Sequence, residues 1–147
     1  MPGAWVDRYV GTPFSEDGLD FRACSCWGLV RLVLQQECGL ELPTYGDLSA
    51  DDLLAASRRI GRAAEAPPWL SAVRRLQTFD VVVMHARREE GGRVPGHVGV
   101  LASPTHVLHV ERATAAVCVP LSHPTVRHRV VTVARHQSMV LSELRSA

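Results

Sequence analysis

The sequence predicts an α+β fold, with helices in the first half and an antiparallel sheet of about five strands in the second. Two observations predict it. From Cys26 to about Glu37 the apolar residues recur at helical spacing, with positions 26, 29, 30 and 33 on one face. From Asp80 onward, short apolar runs are separated by turn residues, as in a meander of hairpins. Elements of one kind followed by elements of the other make an α+β domain rather than alternating βαβ units.

Taken in order, residues 4–10 suit a short helix with Trp5, Tyr9 and Val10 as its apolar contacts. Gly11-Thr12-Pro13-Phe14 breaks it, and Ser15-Glu16-Asp17-Gly18 is turn chemistry. The chain then reaches the helix that begins at Cys26. Cys38 lies near its end as a structural cysteine, and Gly39 is a natural C-cap. Leu40 to Tyr45 is extended, with Pro43 inside it. Ser49 caps a second helix whose first turn carries Asp51 and Asp52; it runs to about Glu65 and stops at Pro67-Pro68. Asp80–His85 is almost wholly apolar, which predicts a strand buried on both faces. Ala86–Gly96 is a hairpin loop, His97–Ala102 the next strand, and Ser103-Pro104-Thr105 a turn. Further strands are expected near 106–112, 116–121 and 126–135, and the tail from Gln137 is weakly specified.

With 147 residues, the chain is expected to form one domain, 1–147, large enough for a core without disulfide staples. A formal net charge of +1 gives no argument for a nucleic-acid partner or a membrane surface. No apolar run approaches the ~20 residues that span a bilayer, so no membrane insertion is expected. Met1–Val10 has no basic segment followed by an apolar one and does not read as a secretory signal. The four cysteines, Cys24, Cys26, Cys38 and Cys118, form no paired C-x-x-C knuckles and are read as reduced. A zinc site through Cys24, Cys26 and a histidine is the weakest reading.

The chemistry centres on Cys26. A cysteine at a helix N-terminus meets free backbone N–H groups and the positive end of the helix dipole, which favour a thiolate and can hold an oxyanion. The alternative is an inert core cysteine. A thiol nucleophile needs a base, usually histidine, and a third group to fix the tautomer. His97 starts a strand and shares a face with Gly99 and Leu101; Gly99 leaves room for a neighbouring backbone or a ligand. His109 lies mid-strand one short turn later, so the two can sit side by side as base and orienter, or each be structural. His106 points to the opposite face from His109. His85, His123, His128 and His136 fall at strand ends or in polar segments. Cys24 precedes the helix and lacks its dipole. Asp20 is a further, weak candidate as a supporting acid.

The segments Gly11-Thr12-Pro13-Phe14, Cys26-Trp27-Gly28-Leu29-Val30 and Gly39-Leu40-Glu41-Leu42-Pro43 together resemble the NlpC-type papain-like cysteine peptidases. Cys-Trp-Gly-Leu-Val resembles in particular the branch found in tail-tip assembly proteins of long-tailed phages and in gene-transfer particles. Phe79-Asp80-Val81-Val82-Val83 is similar to the Gly-Asp-apolar strand of that family, His97-Val98-Gly99-Val100 to its His-Val-Gly-Ile strand, and Val107-Leu108-His109-Val110 to the strand of its third catalytic residue. The match covers about residues 5–135. It implies a papain-like NlpC-type fold with Cys26 as nucleophile, His97 as base and His109 as orienter. It also implies hydrolysis of amide bonds in peptidoglycan stem peptides, no metal or organic cofactor, and other tail-tip or hub proteins as partners. The expected location is a virion or phage-like tail tip, reached without a signal peptide. Phe14, Ser25 and Trp27, around the nucleophile, are the expected binding residues.

The chain departs from the family where Ser25 replaces an aspartate, Phe14 a tyrosine and Phe79 a glycine. Those departures motivate one alternative, a tail-tip docking component with little activity; a separate one is another cysteine chemistry on a similar fold, such as acyl transfer.

Overall fold

The computed structural model describes residues 2–43, 68–70, 72–85, 95–112 and 114–140. The expected second helix, the loop at 86–94 and the end of the tail lie outside the described residues. A 3-10 helix, Ala4–Arg8, is followed by two short strands, β1 (Leu19–Asp20) and β2 (Ala23–Cys24), and by helix α1 (Cys26–Cys38). Then come β3 (Trp69–Leu70), β4 (Val81–His85), β5 (Pro95–Ser103), β6 (His106–Glu111), β7 (Thr114–Pro120) and β8 (Val130–His136). β1 and β2 form their own hairpin; the other six make one antiparallel sheet in the order β3-β8-β4-β5-β6-β7. The last strand therefore returns to pair with β4.

The fold class matches the expectation, and the strand count exceeds it. The extra strands are the three two-residue elements, which are too short to show any periodicity. The first helix is 3-10 and ends at Arg8, short of the expected residue 10, where the chain turns off toward Gly11 (φ 94°), whose amide bonds to the Ala116 carbonyl. β8 starts at Val130 and not near 126 because the His123 carbonyl accepts the Val126 and Arg127 amides in a turn.

α1 begins and ends where its residues dictate. Ser25 is extended (φ −76°, ψ 173°), and its hydroxyl accepts the Gly28 amide at 2.9 Å. Gly39 takes a left-handed φ of 68°; its amide bonds to the Gln35 carbonyl and the next amide, Leu40, to Leu34. Leu29, Val30, Val33 and Leu34 are fully buried, each contributing about 1.5–3 kcal/mol by leaving water. They pack on the sheet face that carries Val98, Val100, Leu108 and Val110. The opposite face holds a second cluster of Val82, Met84, Leu101, Val107 and Val133, covered by Val126 from the β7–β8 connection. β4 is thus buried on both faces, as its unbroken apolar run predicted.

Three contacts set the frame around α1. Tyr9, fully buried, donates to the Glu37 carboxylate at 2.6 Å and ties the 3-10 helix to the last turn of α1. Asp80, 2 % exposed, takes a two-pronged hydrogen bond from Arg135 (Nε 2.8 Å, Nη2 2.9 Å) and a third from the Gln77 amide, which fastens β4 to β8. At the far edge of the sheet, Ala116 of β7 accepts the Gly11 amide and donates to the Thr12 carbonyl, each at 2.8 Å.

Two residues of the sequence motifs acquire a physical reason. A Cβ on Gly28 would lie 2.0 Å from the Gly18 carbonyl oxygen, which itself accepts the Ser25 amide. Only glycine lets the 15–24 loop cross the first turn of α1. Phe79 has φ 75°, the left-handed region, at the position where the resembled family carries glycine. Its ring lies against Trp5, centroids 5.0 Å apart.

Two stability measurements follow from these positions. Gly28→Ala is expected to lower stability by on the order of 1–3 kcal/mol in chemical denaturation, despite alanine's better helix propensity, because a backbone atom must move. An unchanged midpoint would refute the crossing. Phe79→Ala and Phe79→Gly both lose the Trp5 contact, but the glycine variant should be the more stable of the two by about 1 kcal/mol, since it alone is relieved of the left-handed strain. The reverse order would mean that the positive φ carries no cost.

Candidate active site

Cys26 is the first residue of α1, directly after the capping Ser25. It is half-buried, and α1 packs against β5 and β6. Three backbone N–H groups favour the charged form of the sulfur: that of Val98 from β5, and those of Trp27 and Cys26 in the first turn of the helix. The β5–β6 register runs from Ser103↔His106 through Leu101↔Val107 to Val100↔Leu108 and stops short of His97 and His109. Where that pairing ends, the Val98 amide serves the thiol.

The sequence argument from the helix dipole expected a depressed thiol pKa. The structure reverses the sign. Burial is the largest influence on Cys26 and pushes the thiol up; the three amides pull it down, and the Glu111 charge pushes it up again. The net direction is upward, so the resting group is a thiol. Cys24 is a poorer nucleophile still. It is fully buried, its Sγ donates to the Asp20 carbonyl at 2.9 Å, and burial followed by the Asp20 charge raises it to about 11. Cys38 is likewise raised to about 11 by burial and then by Glu37, in keeping with its structural reading.

His97 and His109 come together as the strand pattern predicted. His97 Nε2 lies 2.8 Å from His109 Nδ1, with ring centroids 5.1 Å apart and both rings buried. Gly99 is what allows it: a Cβ there would lie 2.7 Å from Val107 Cγ2 and 3.0 Å from His109 Cβ. The room at Gly99 is therefore filled by the neighbouring strand. His97 pairs with Met84, which belongs to the cluster on the sheet face away from α1. The thiol, approaching from the helix side, thus meets β5 at its backbone, one residue from His97.

A residue that the sequence reading passed over completes the cluster. Glu111, 7 % exposed, places Oε1 at 3.4 Å from His97 Nε2 and 3.5 Å from His109 Nδ1. Arg129, from the β7–β8 connection, donates Nη1 to the same oxygen at 2.6 Å, and it is itself held by donation to the His85 and Thr125 carbonyls. Alternation alone carried the signal, since Glu111 is two residues after His109 on the same strand. Nothing local could have singled out Arg129.

The other candidates have different surroundings. Ser25 is engaged in capping. Trp27 is buried, its indole donating to the Pro43 carbonyl at 2.9 Å and meeting Trp69 edge to face. Phe14 bridges to Cys24, packs partly buried against the core, and lies under the Arg112 guanidinium at 6.0 Å. Asp20 is exposed and its carboxylate accepts the Arg22 amide of its own turn. Among the described residues, the group of side chains able to share a metal ion is His97, His109 and Glu111; it contains neither Cys24 nor Cys26.

No protein-family model and no curated protein matches the chain. Solved structures do. One is the NlpC/p60 domain of peptidoglycan hydrolase SagA, at 16% identity and TM-score 0.59, with 90% of this chain and 93% of that one aligned. Another is an NlpC/P60 family protein from Bacillus cereus, at 17% identity and TM-score 0.61, covering 93% of this chain and 41% of that one. A third is a lipoprotein-like member of the NLP/P60 family from Staphylococcus aureus, at 18% identity and TM-score 0.55, covering 89% and 38%. The chain spans well under half the length of the last two. Its fold, a helix led by Cys26 and packed on an antiparallel sheet, is that of the NlpC/P60 domains.

Proposed function

We propose that this chain is a cysteine endopeptidase acting on peptidoglycan stem peptides, with Cys26 as nucleophile, His97 as general base and His109 as orienting residue. The observation that carries the reading is that β5 turns the Val98 amide toward the helix-leading thiol and carries, as the preceding residue, a buried His97 that lies 2.8 Å from His109 of β6. The likeness to peptidoglycan hydrolase domains supports the substrate class.

His97 contacts both His109 and Glu111 through Nε2. The nitrogen that serves the thiol is then Nδ1, and Nε2–H donates to His109 Nδ1. Because the resting sulfur is a thiol, His97 takes its proton as the sulfur attacks the scissile carbonyl. Amides at the start of α1 hold the oxyanion. The imidazolium passes its proton to the leaving amine, and a water deprotonated by the same ring releases the acyl group. Glu111, a positioning residue fixed by Arg129, stabilises the imidazolium from behind. The Cys-Trp-Gly-Leu-Val segment supports a finer reading, in which the enzyme sits in the tail tip of a phage-like particle beside other hub proteins and reaches the wall from outside.

One observation favours a second reading. Burial raises the thiol, and the strand register sets His97 opposite Met84 of the second hydrophobic cluster. A tail-tip docking component that retains the fold and cleaves little would look the same.

Hydrolysis of purified peptidoglycan, followed by analysis of the released peptides, separates the two. The wild-type chain should cut stem peptides and Cys26→Ala should fall to background with its fold intact. Equal activity in both would exclude the thiol mechanism; no activity in either would favour docking. Glu111→Gln should lower kcat on the order of tenfold to a hundredfold.

Alkylation of Cys26 against pH reports the electrostatics directly. The midpoint should lie above the ~8.5 of an ordinary thiol. Glu111→Gln, by removing a negative charge, should move it down. A wild-type midpoint below the ordinary value, or one that Glu111→Gln leaves in place, would contradict the balance of burial and charge described above.

A further inference from the structure

His97 Nε2, His109 Nδ1 and Glu111 Oε1 are separated by 2.8, 3.4 and 3.5 Å. These are the separations found between ligands on one face of a metal coordination sphere. An ion about 2.1 Å from each atom would sit only about 0.9 Å out of their plane. Two imidazole nitrogens and one carboxylate oxygen form a donor set suited to zinc and its neighbours. All three side chains are buried on adjacent strands. The contact from Arg129 Nη1 to Glu111 Oε1 is of the kind that orients a ligating carboxylate from outside the first sphere. We infer that His97, His109 and Glu111 form a binding site for a divalent ion of the zinc type, and that occupancy of this site blocks His97 as a base.

The second half of that inference follows from proton bookkeeping. In the base-competent pair, His97 carries its proton on Nε2 and offers the Nδ1 lone pair to the thiol. An ion on Nε2 needs the lone pair of that nitrogen, so the His97 proton moves through solvent from Nε2 to Nδ1. His109 keeps its proton on Nε2 and lends Nδ1 to the ion. No proton is lost overall, but Nδ1 of His97 can no longer accept one. The metal site itself does not depend on the peptidase reading; only its effect on catalysis rests on it.

Calorimetric titration of the purified chain with Zn2+ tests the site, with Co2+ absorption as a second readout of coordination. The expected result is one ion per chain. Binding should weaken at least about tenfold in Glu111→Gln and more in His109→Ala, and stay unchanged in Cys26→Ser. Circular dichroism of each variant verifies folding; if Glu111→Gln does not fold, His109→Asn replaces it. Absence of binding at equimolar zinc would overturn the inference. So would equal binding in wild type and His109→Ala, which would place the ion on histidines elsewhere, or loss of binding in Cys26→Ser, which would place it on the thiol. Zinc that binds as expected should also stop peptidoglycan hydrolysis, with chelator restoring it. If the chain hydrolyses nothing, the titration alone still decides the site.

Discussion

The position of the thiol depends on one close crossing, that of the Gly18 carbonyl over the first turn of α1. The carbonyl accepts the Ser25 amide and occupies the space that a side chain at position 28 would need. Ser25 caps the same turn from its hydroxyl. Three residues thus fix where the helix begins, and with it the amides that surround Cys26. Because the apolar stripe of α1 is locked against β5 and β6, the start of the helix cannot shift without disturbing the core.

Beyond that crossing, strand alternation arranges the site. α1 packs on the residues of β5 and β6 that include Val98, Val100, Leu108 and Val110, while His97, His109 and Glu111 alternate with them and Arg129 reaches Glu111 from the β7–β8 connection. The Val98 amide turns to the thiol on the stretch of β5 where pairing with β6 has stopped. A buried carboxylate beside two imidazoles is tolerable because Arg129 supplies the opposite charge from a connection whose Val126 also seals the second cluster. The same loop therefore closes a hydrophobic layer and neutralises the cluster beneath it.

Much of this was legible in the residues. The limits of α1 follow from a serine cap and a left-handed glycine, both local signals. The pairing of His97 with His109 follows from strand alternation across a short turn. What the residues concealed was tertiary. The dipole argument for Cys26 counted the amides but not the desolvation imposed by packing, so its sign was wrong. Glu111 drew no notice until Arg129, eighteen positions later, gave it a partner. Trp27 stood out as a neighbour of Cys26, yet its indole faces Pro43 and Trp69 in the core. Phe79 looked like a simple departure from glycine; only its φ shows that the backbone kept the conformation while the side chain found Trp5.

The two borders of the large sheet are unlike each other but have the same effect. One ends in a strand of two residues, and on the other Ala116, the third residue of β7, already exchanges both its backbone bonds with the segment at Gly11 and Thr12. A foreign extended chain seeking to join by main-chain pairing would find too short a template on one side and would have to peel away the N-terminal segment on the other. Self-association by strand addition is disfavoured on the same grounds. Any recognition of an extended chain is left to side chains on the faces and loops, where its selectivity can be altered by substitution without unravelling the sheet.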